Sequence, residues 1–255
     1  MFDEIAETYD ATIPQLPPPY LDLIRQTFSL RESDRILDLG CGSGLLTFPL
    51  AEISKNVEGL DSSTELLRLG RDRDVNRCIE WVHSRVEDFT FLSNRYKLIL
   101  AFESFHLFPQ KAELIHRISR ALIDGGYFGV GWCEYHWECI LREIIIETFD
   151  EYGITWGEWG YQSVPELESI IGCCQLGPLI RENVCVPDQS SDLQDIAAYL
   201  VSIGKASRLS SDARRKLQEQ LVSRFYCFTK AEVIGGTSVY SVSYARHKQR
   251  AGKQR

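Results

Sequence analysis

The chain has 255 residues, of which 44% are hydrophobic and 25% are charged, and its formal net charge is −8. This composition is typical of a globular protein and disfavours non-specific binding to nucleic acid. We expect a cytoplasmic location and no membrane partner, because no stretch is long and apolar enough for a membrane span or a signal peptide. The eight cysteines include no Cys-x-x-Cys pair, so we expect reduced thiols and no metal site.

The first thirty residues predict two helices separated by a proline-rich break. Apolar residues recur at helical spacing over residues 2–9, and again over residues 20–30. Residues 14–19 contain four prolines between these segments, and proline cannot continue a helix. We therefore expect residues 1–30 to precede the main sheet as a separate segment.

Residues 35–45, with the sequence Arg-Ile-Leu-Asp-Leu-Gly-Cys-Gly-Ser-Gly-Leu, predict a strand, a glycine turn and the start of a helix. Gly40, Gly42 and Gly44 permit positive φ and let a ligand approach the backbone. The free N–H groups of the following helix, over residues 45–53, face the same crevice. This pattern predicts a cofactor over the carboxyl end of the first strand of an open α/β sheet.

Two carboxylates indicate which cofactor binds there. Asp38 precedes the first glycine, and the glycine spacing is Gly-x-Gly-x-Gly rather than the Gly-x-Gly-x-x-Gly of dinucleotide sites. Asp38 would repel a phosphate and attract an ammonium or sulfonium group. Asp61 ends a second predicted strand and would accept hydrogen bonds from both hydroxyls of a ribose.

Residues 36–44 together with Asp61 resemble the class I S-adenosylmethionine-dependent methyltransferases. The resemblance implies an α/β fold: a Rossmann-like, seven-stranded, mostly parallel sheet with helices on both faces and a helical cap. It implies S-adenosylmethionine as cofactor and S-adenosylhomocysteine as product. The cofactor contacts that it implies, including a lid over residues 6–10, are Tyr9, Asp38, Gly40, Cys41, Gly42, Asp61, Ser62, Val86, Glu87, Ala101 and Phe102.

The loop after the third predicted strand departs from the family pattern. In the family this loop holds the adenine, and an acid bonds the adenine amino group. In this chain Arg85 stands at the acid's position. Glu87 or Asp88 takes the acid's role, or the N–H of Val86 suffices.

The fourth predicted strand, over residues 96–101, is nearly continuous in apolar residues, as expected of a sheet buried on both faces. The following segment, residues 104–109, is similar to a Phe-His-Trp-Phe segment of the small-molecule group that includes the trans-aconitate-methyltransferase-like proteins. His106 is a candidate general base. Alternatively, it caps the loop and shapes the pocket.

The fifth predicted strand ends at Trp132, and an aromatic and titratable stretch follows. Glu134, Tyr135 and His136 are further candidates for acid–base work. Trp132 and Trp137 are candidates for pocket walls, although core packing explains either equally well.

The rest of the chain predicts two helices, over residues 192–203 and 210–225, with Ser191 and Ser210 as their caps. A last strand over residues 239–245, placed as antiparallel, completes the sheet.

The resulting division has five parts. We predict a lid segment and helix (1–30), a cofactor-binding core (31–135), a helical cap (136–178), strands and helices that complete the sheet (179–246), and a basic, disordered tail (247–255).

The function that these patterns predict is methyl transfer to a small-molecule acceptor, with O-methylation of a carboxylate or hydroxyl, for example on a natural-product intermediate. A carboxylate acceptor would need no base, and Arg142 or Arg181 would hold a second acid group. The alternative is a protein of this fold that binds the cofactor without transferring methyl, as a structural cofactor for a cyclisation or as a sensor. A nicotinamide oxidoreductase is disfavoured by the glycine spacing and Asp38. The acceptor atom and the oligomeric state stay open.

Overall fold

The computed structural model describes residues 2–155, 163–171, 174–187, 192–228, 233 and 236–248. These residues form a seven-stranded sheet with the order β3-β2-β1-β4-β5-β7-β6. The strands are β1 (Arg35–Leu39), β2 (Asn56–Asp61), β3 (Ile79–His83), β4 (Tyr96–Phe102), β5 (Leu122–Glu134), β6 (Ile180–Pro187) and β7 (Thr237–Arg246).

The first five strands pair in parallel, whereas β7 runs antiparallel to both β5 and β6. The predicted fold class is thus confirmed. Because β1 to β5 are parallel, their carboxyl ends meet at one edge of the sheet, which is where a ligand site is expected.

Helices cover both faces of the sheet. They are α1 (Ala6–Thr12), α2 (Pro18–Phe28), α3 (Thr47–Ile53), α4 (Thr64–Arg73), α5 (Lys111–Ala121), α6 (His136–Asp150), α7 (Ser163–Ile171), α8 (Leu193–Ser202) and α9 (Ser211–Phe225). Side chains of α2, α3, α6, α8 and α9 share one buried cluster, and those of α5 and α7 share the other. The two helices of the predicted 136–178 cap therefore pack on opposite faces, and the five-part division stays a prediction.

Side-chain caps mark three helix starts. Ser63 Oγ accepts a hydrogen bond from Leu66 N at 3.2 Å in α4, and Ser210 Oγ accepts one from Ala213 N at 3.3 Å in α9. The cap of α8 is Asp192, which accepts from Gln194 N, rather than the predicted Ser191. Ser191, residues 156–160 and most of the predicted tail lie outside the described residues.

A buried ion cluster lies toward the amino ends of β1, β2 and β4. Glu58 of β2 accepts hydrogen bonds from Arg35 Nη1 at 2.5 Å, from Arg95 Nη2 at 2.6 Å and from Tyr96 Oη at 2.6 Å. Burial alone would raise the pKa of Glu58, but these donors outweigh burial and lower the pKa. Both carboxylate oxygens are satisfied, so this cluster ties three strands together.

In the described part of the chain, no helix combines the length and apolar character that crossing a membrane requires.

Candidate active site

The glycine loop after β1 adopts a backbone that side chains would obstruct. Gly40 has φ +70°, and a Cβ there would lie 2.5 Å from Ser104 Cβ. Gly42 has φ +55°, and a Cβ there would meet only Leu66 Cδ1, at 3.9 Å. The side of the loop at Gly42 is therefore open, which suits a ligand that lies directly on the backbone.

Two carboxyl groups border this loop. Asp61 accepts hydrogen bonds from Gly42 N at 2.9 Å and from Ser63 N at 2.8 Å. Asp38 is 1% exposed and accepts one from Thr47 Oγ1 at 2.6 Å. Burial raises the pKa of Asp38 to about 7, and the charge of Asp61 adds to this effect.

The pKa of Asp61 is also raised by burial, against the opposing effect of its backbone donors. Among the described residues, neither Asp38 nor Asp61 has an arginine or lysine within ion-pair distance. The loop is thus bordered by two carboxyls that a cationic ligand would stabilise.

The amino-terminal segment is fastened across this region. Asp3 accepts hydrogen bonds from Ser63 Oγ at 2.5 Å and from Glu65 N at 3.1 Å. Asp10 accepts from Ser43 Oγ of the glycine loop and from Arg73 Nη2, the latter at 2.9 Å.

At its other side, α1 packs on α8, where Thr12 Oγ1 lies 3.1 Å from Ser202 Oγ. Tyr9 of α1 is partly buried. Its pKa is raised by burial and by the charges of Glu103 and Asp61. Tyr9 therefore lies near both the glycine loop and the end of β4.

The loop after β3 explains what Arg85 does in this chain. Arg85 Nη2 lies 2.7 Å from Glu87 Oε1, and Arg117 Nη1 donates to the Glu87 carbonyl at 2.9 Å. Val86 between them is buried, and Asp88 is exposed. Arg85 thus holds the Glu87 side chain in place.

Ser62 is exposed, and its carbonyl lies 3.2 Å from His83 Nε2. Cys41 is buried, and its N–H donates to the Leu60 carbonyl at 3.0 Å. These two residues flank the glycine loop and the end of β2.

Glu103 is the residue that sequence reasoning missed. It follows Ala101 and Phe102 at the end of β4 and has φ +50°, which is uncommon for a side-chain-bearing residue. Its N–H donates to the Gly131 carbonyl at 3.0 Å, and its Oε1 accepts from Cys133 N at 2.6 Å. An unusual backbone conformation of this kind at a strand end is a common feature of functional sites.

The surroundings of Glu103 disfavour its charged form. Burial raises the pKa of Glu103 to about 8; the hydrogen bond from Cys133 opposes this, and the charge of Glu138 adds to it. The sequence did contain a signal, since Glu103 is an acid at the end of a buried strand, as Asp61 is.

Aromatic side chains of α6 and α8, and Tyr135 just before α6, pack together near this carboxyl group. The rings of Tyr135 and Trp137 stack with centroids 5.3 Å apart, and Tyr199 lies edge-on to both at 6.2 and 6.3 Å. Burial, chiefly, and also the charge of Glu103 raise the pKa values of Tyr9, Tyr135 and Tyr199. We call the following residues the Glu103 cluster: Tyr9, Glu103, Tyr135, Trp137, Glu138 and Tyr199.

The structure places His106 and His136 near this edge but outside the cluster. His106 lies in a turn after β4, and burial together with Lys111 lowers its pKa to about 4, so it is neutral at pH 7. His136 begins α6, and its N–H donates to Ser238 Oγ at 3.1 Å. Its ring packs where a side chain at Gly236 would have to lie.

Glu134 is not brought together with Glu103. It accepts hydrogen bonds from Arg181 Nη2 at 3.0 Å and from Trp132 Nε1 at 3.1 Å. Trp132 belongs to the buried cluster of the α5 face, whereas Cys133 and Tyr135 belong to the opposite cluster. Because side chains alternate along a strand, Glu134 is directed to the other face.

A glycine loop and an acid at the end of the second strand, on a sheet of this order, resemble the class I S-adenosylmethionine-dependent methyltransferases. The family comparison agrees, because residues 36–126 match the methyltransferase domain family. Residues 36–126 therefore form a methyltransferase domain.

Curated relatives match about half of the chain. The ubiquinone biosynthesis O-methyltransferase of Hydrogenovibrio crunogenus is 27% identical over 135 residues, which are 49% of this chain and 56% of that protein. The cypemycin N-terminal methyltransferase of a Streptomyces species is 33% identical over an alignment of 132 residues. The alignment covers 49% of this chain and 54% of that protein. The chain spans about half the length of these relatives.

A solved structure supports the fold over nearly the whole chain. The phosphoethanolamine N-methyltransferase 2 of Haemonchus contortus aligns with a TM-score of 0.59 and 18% identity, covering 97% of this chain and 58% of that one. At this identity the likeness concerns the fold.

Proposed function

We propose that the chain transfers a methyl group from S-adenosylmethionine to a small-molecule acceptor. The observation that carries the proposal is the placement of two sites at one sheet edge. The glycine loop with Asp38 and Asp61 lies over the ends of β1 and β2, and the Glu103 cluster lies over the ends of β4 and β5. Tyr9 is close to both.

The residues fit the cofactor. Asp61 suits the ribose hydroxyls, and Asp38 with the open backbone at Gly40, Cys41 and Gly42 suits the ammonium end. In our assignment, Ser62, Val86 and Glu87 border the adenine side, Ala101 and Phe102 lie beneath the cofactor, and Tyr9 covers it. When bound, S-adenosylmethionine supplies a methyl group that is already electrophilic, on a positively charged sulfur.

The role of Glu103 is to take the proton from the acceptor. A hydroxyl or amine must lose a proton during methyl transfer, and a well-placed base contributes roughly 100- to 10,000-fold to the rate. A carboxyl with a pKa of about 8 is better matched to this task near neutral pH than His106, whose pKa is about 4. We therefore assign His106 and His136 to shaping the site.

The acceptor follows in part from the charges. The predicted carboxylate acceptor is disfavoured, because it would lie against Glu103 and Glu138. A hydroxyl acceptor stays compatible, and the relatives carry both O-methyltransferase and N-terminal methyltransferase names. The presence of a base beside the cofactor loop favours methyl transfer over a cofactor with a purely structural role.

Calorimetric titration with S-adenosylhomocysteine tests the cofactor assignment, with NADH as the parallel ligand. We expect micromolar binding of S-adenosylhomocysteine and none of NADH. Asp61→Asn should weaken this binding by about tenfold or more, because a charged acceptor to two hydroxyls is lost.

The matched control is Asp72→Asn. Asp72 lies on the surface of α4 and pairs with Arg68 at 3.0 Å, away from the loop. Unchanged affinity in Asp61→Asn would remove Asp61 from the site, and no binding to the unmodified protein would contradict the proposed function.

A further inference from the structure

We infer that the acceptor is a small aliphatic amine with an aromatic ring, which binds as its ammonium ion with the charged nitrogen against Glu103 and Glu138. This inference rests on the proposed function and names the substrate class of the same site.

The two carboxyls of the Glu103 cluster favour a positively charged ligand. One oxygen of Glu103 accepts a hydrogen bond from Cys133 N, and its other oxygen has no hydrogen-bond partner among the described residues. Glu138 Oε1 lies 3.9 Å from Arg142 Nη1, and the Arg142 side chain is 56% exposed to solvent. Two carboxyls thus share a partly buried region in which a cation would be favourable and an anion unfavourable.

Three aromatic rings form one side of the Glu103 cluster. Tyr135, Trp137 and Tyr199 pack within 6.3 Å of one another, centroid to centroid. Aromatic faces attract ammonium groups and stack with other rings. The ring wall therefore suits a ligand with an aromatic body and a positively charged nitrogen.

Three tyrosine hydroxyls of the cluster are available to a ligand. The hydroxyls of Tyr9, Tyr135 and Tyr199 make no hydrogen bond with another described residue. They are also absent from the fully enclosed side-chain atoms without a hydrogen bond in the described part of the chain. These hydroxyls therefore keep access to a ligand that enters the cluster.

The chemistry balances without a further reactant. Glu103 in its ionised form accepts one proton from the ammonium group. The freed nitrogen lone pair forms the new N–C bond to the methyl carbon while the C–S bond breaks, and its electron pair stays on sulfur. The products are a methylated ammonium ion, a neutral thioether and one proton, which Glu103 releases to water.

Three probes of the same shape but different charge test the inference: tyramine, 4-ethylphenol and 3-(4-hydroxyphenyl)propanoate. Each is titrated calorimetrically into protein saturated with S-adenosylhomocysteine. We expect tyramine to bind about tenfold or more tighter than 4-ethylphenol, and the acid to bind most weakly. With S-adenosylmethionine, mass spectrometry should find the methyl group on the tyramine nitrogen.

A pair of variants isolates the charge. Glu103→Gln should reduce the preference for tyramine over 4-ethylphenol to about threefold or less. Glu143→Gln, an exposed residue of α6, should leave the preference unchanged. Equal binding of the neutral probe, tighter binding of the acid, no binding of tyramine, or methylation at the phenol oxygen would overturn the inference. S-adenosylhomocysteine binding is measured first without any amine, so its loss identifies a failure of the proposed function instead.

Discussion

Two carboxyls on one sheet, the buried Glu58 and the partly buried Glu103, have opposite environments. Glu58, toward the amino ends of the strands, is held by two arginines and a tyrosine, and its pKa is lowered. Glu103, at the carboxyl ends, has one backbone donor and aromatic neighbours, and its pKa is raised to about 8. The comparison teaches that burial alone does not decide the role of a carboxyl; the number and charge of its partners does.

The difference assigns Glu58 to stability and Glu103 to chemistry. A carboxylate whose oxygens already accept hydrogen bonds from neighbouring side chains has little capacity left to bind a ligand. One that lacks partners costs folding free energy and is available for a proton or a cation. The predictions below can break this division.

The largest expected effect is on catalysis. Glu103→Gln should lower the rate of methyl transfer about 100-fold or more, because the proton acceptor is lost. S-adenosylhomocysteine affinity and the free energy of unfolding should not fall. Single-turnover kinetics, calorimetry and urea unfolding measure these quantities, and near-normal turnover would show that Glu103 is not the base.

The pH profile distinguishes Glu103 from His106. The base must be ionised, so kcat/KM for the acceptor, which reports the ligand-free site, should rise about tenfold per pH unit below pH 8 and level off above it. If His106 were the base, its pKa of about 4 would give a flat profile above pH 6. Glu103→Gln should remove the rise while His106→Ala retains it.

Removing the charge of Glu58 should lower stability, whereas removing the charge of Glu103 should not. Glu58→Gln should lower the free energy of unfolding by ~2–3 kcal/mol, because the arginines lose a charged partner. Since its folded-state pKa is lowered, this stability is present above the ordinary pKa of 4.5 and is lost as the pH falls through the folded-state value. Urea unfolding at pH 7 and at acidic pH measures it, and catalysis by the folded variant should be unchanged.

Glu103 should act in the opposite direction. Its folded-state pKa is raised above 4.5, so its contribution to stability is present at low pH and is lost as the pH rises from about 4.5 to about 8. Wild type should therefore lose stability over this window relative to Glu103→Gln. The same pH dependence in both proteins would contradict the environment described here.

The smallest effect concerns the amino-terminal segment. Asp10→Asn removes the ion pair with Arg73, which is 48% exposed, and exposed pairs contribute roughly 0.2–1 kcal/mol. We expect S-adenosylhomocysteine to dissociate a few-fold faster, as stopped-flow measurements would show. Glu4→Gln, at an exposed position of the same segment, is the matched control. An unchanged dissociation rate in Asp10→Asn would show that the segment does not retain the ligand.

The parts of the molecule that sequence reasoning predicted well depend on local signals. The glycine loop and Asp61 are marked by residues within one continuous strand–turn–helix–strand unit, and the sheet follows from the same pattern. The Glu103 cluster is different, because its members come from β4, α1, α6 and α8, which are up to 190 residues apart. Proximity of this kind is a property of the fold.

Glu134 shows a second limit. Glu134 was a candidate because it follows the predicted end of the fifth strand at Trp132, but the face of the sheet to which its side chain is directed depends on the alternation of β5. Trp132 and Glu134 lie on the α5 side, whereas Cys133 and Tyr135 lie on the side of Glu103. Glu134 therefore pairs with Arg181, whereas Tyr135, the next residue, belongs to the Glu103 cluster, because successive side chains point to opposite faces.

The most direct test is a carbon-13 NMR titration of the glutamate carboxyls, with Glu103→Gln and Glu58→Gln to assign the two signals. The structure predicts that the Glu103 carboxyl titrates near pH 8 and that the Glu58 carboxyl titrates below pH 4.5. A Glu103 carboxyl that titrates between pH 4 and 5, like an exposed glutamate, would contradict the account of the site.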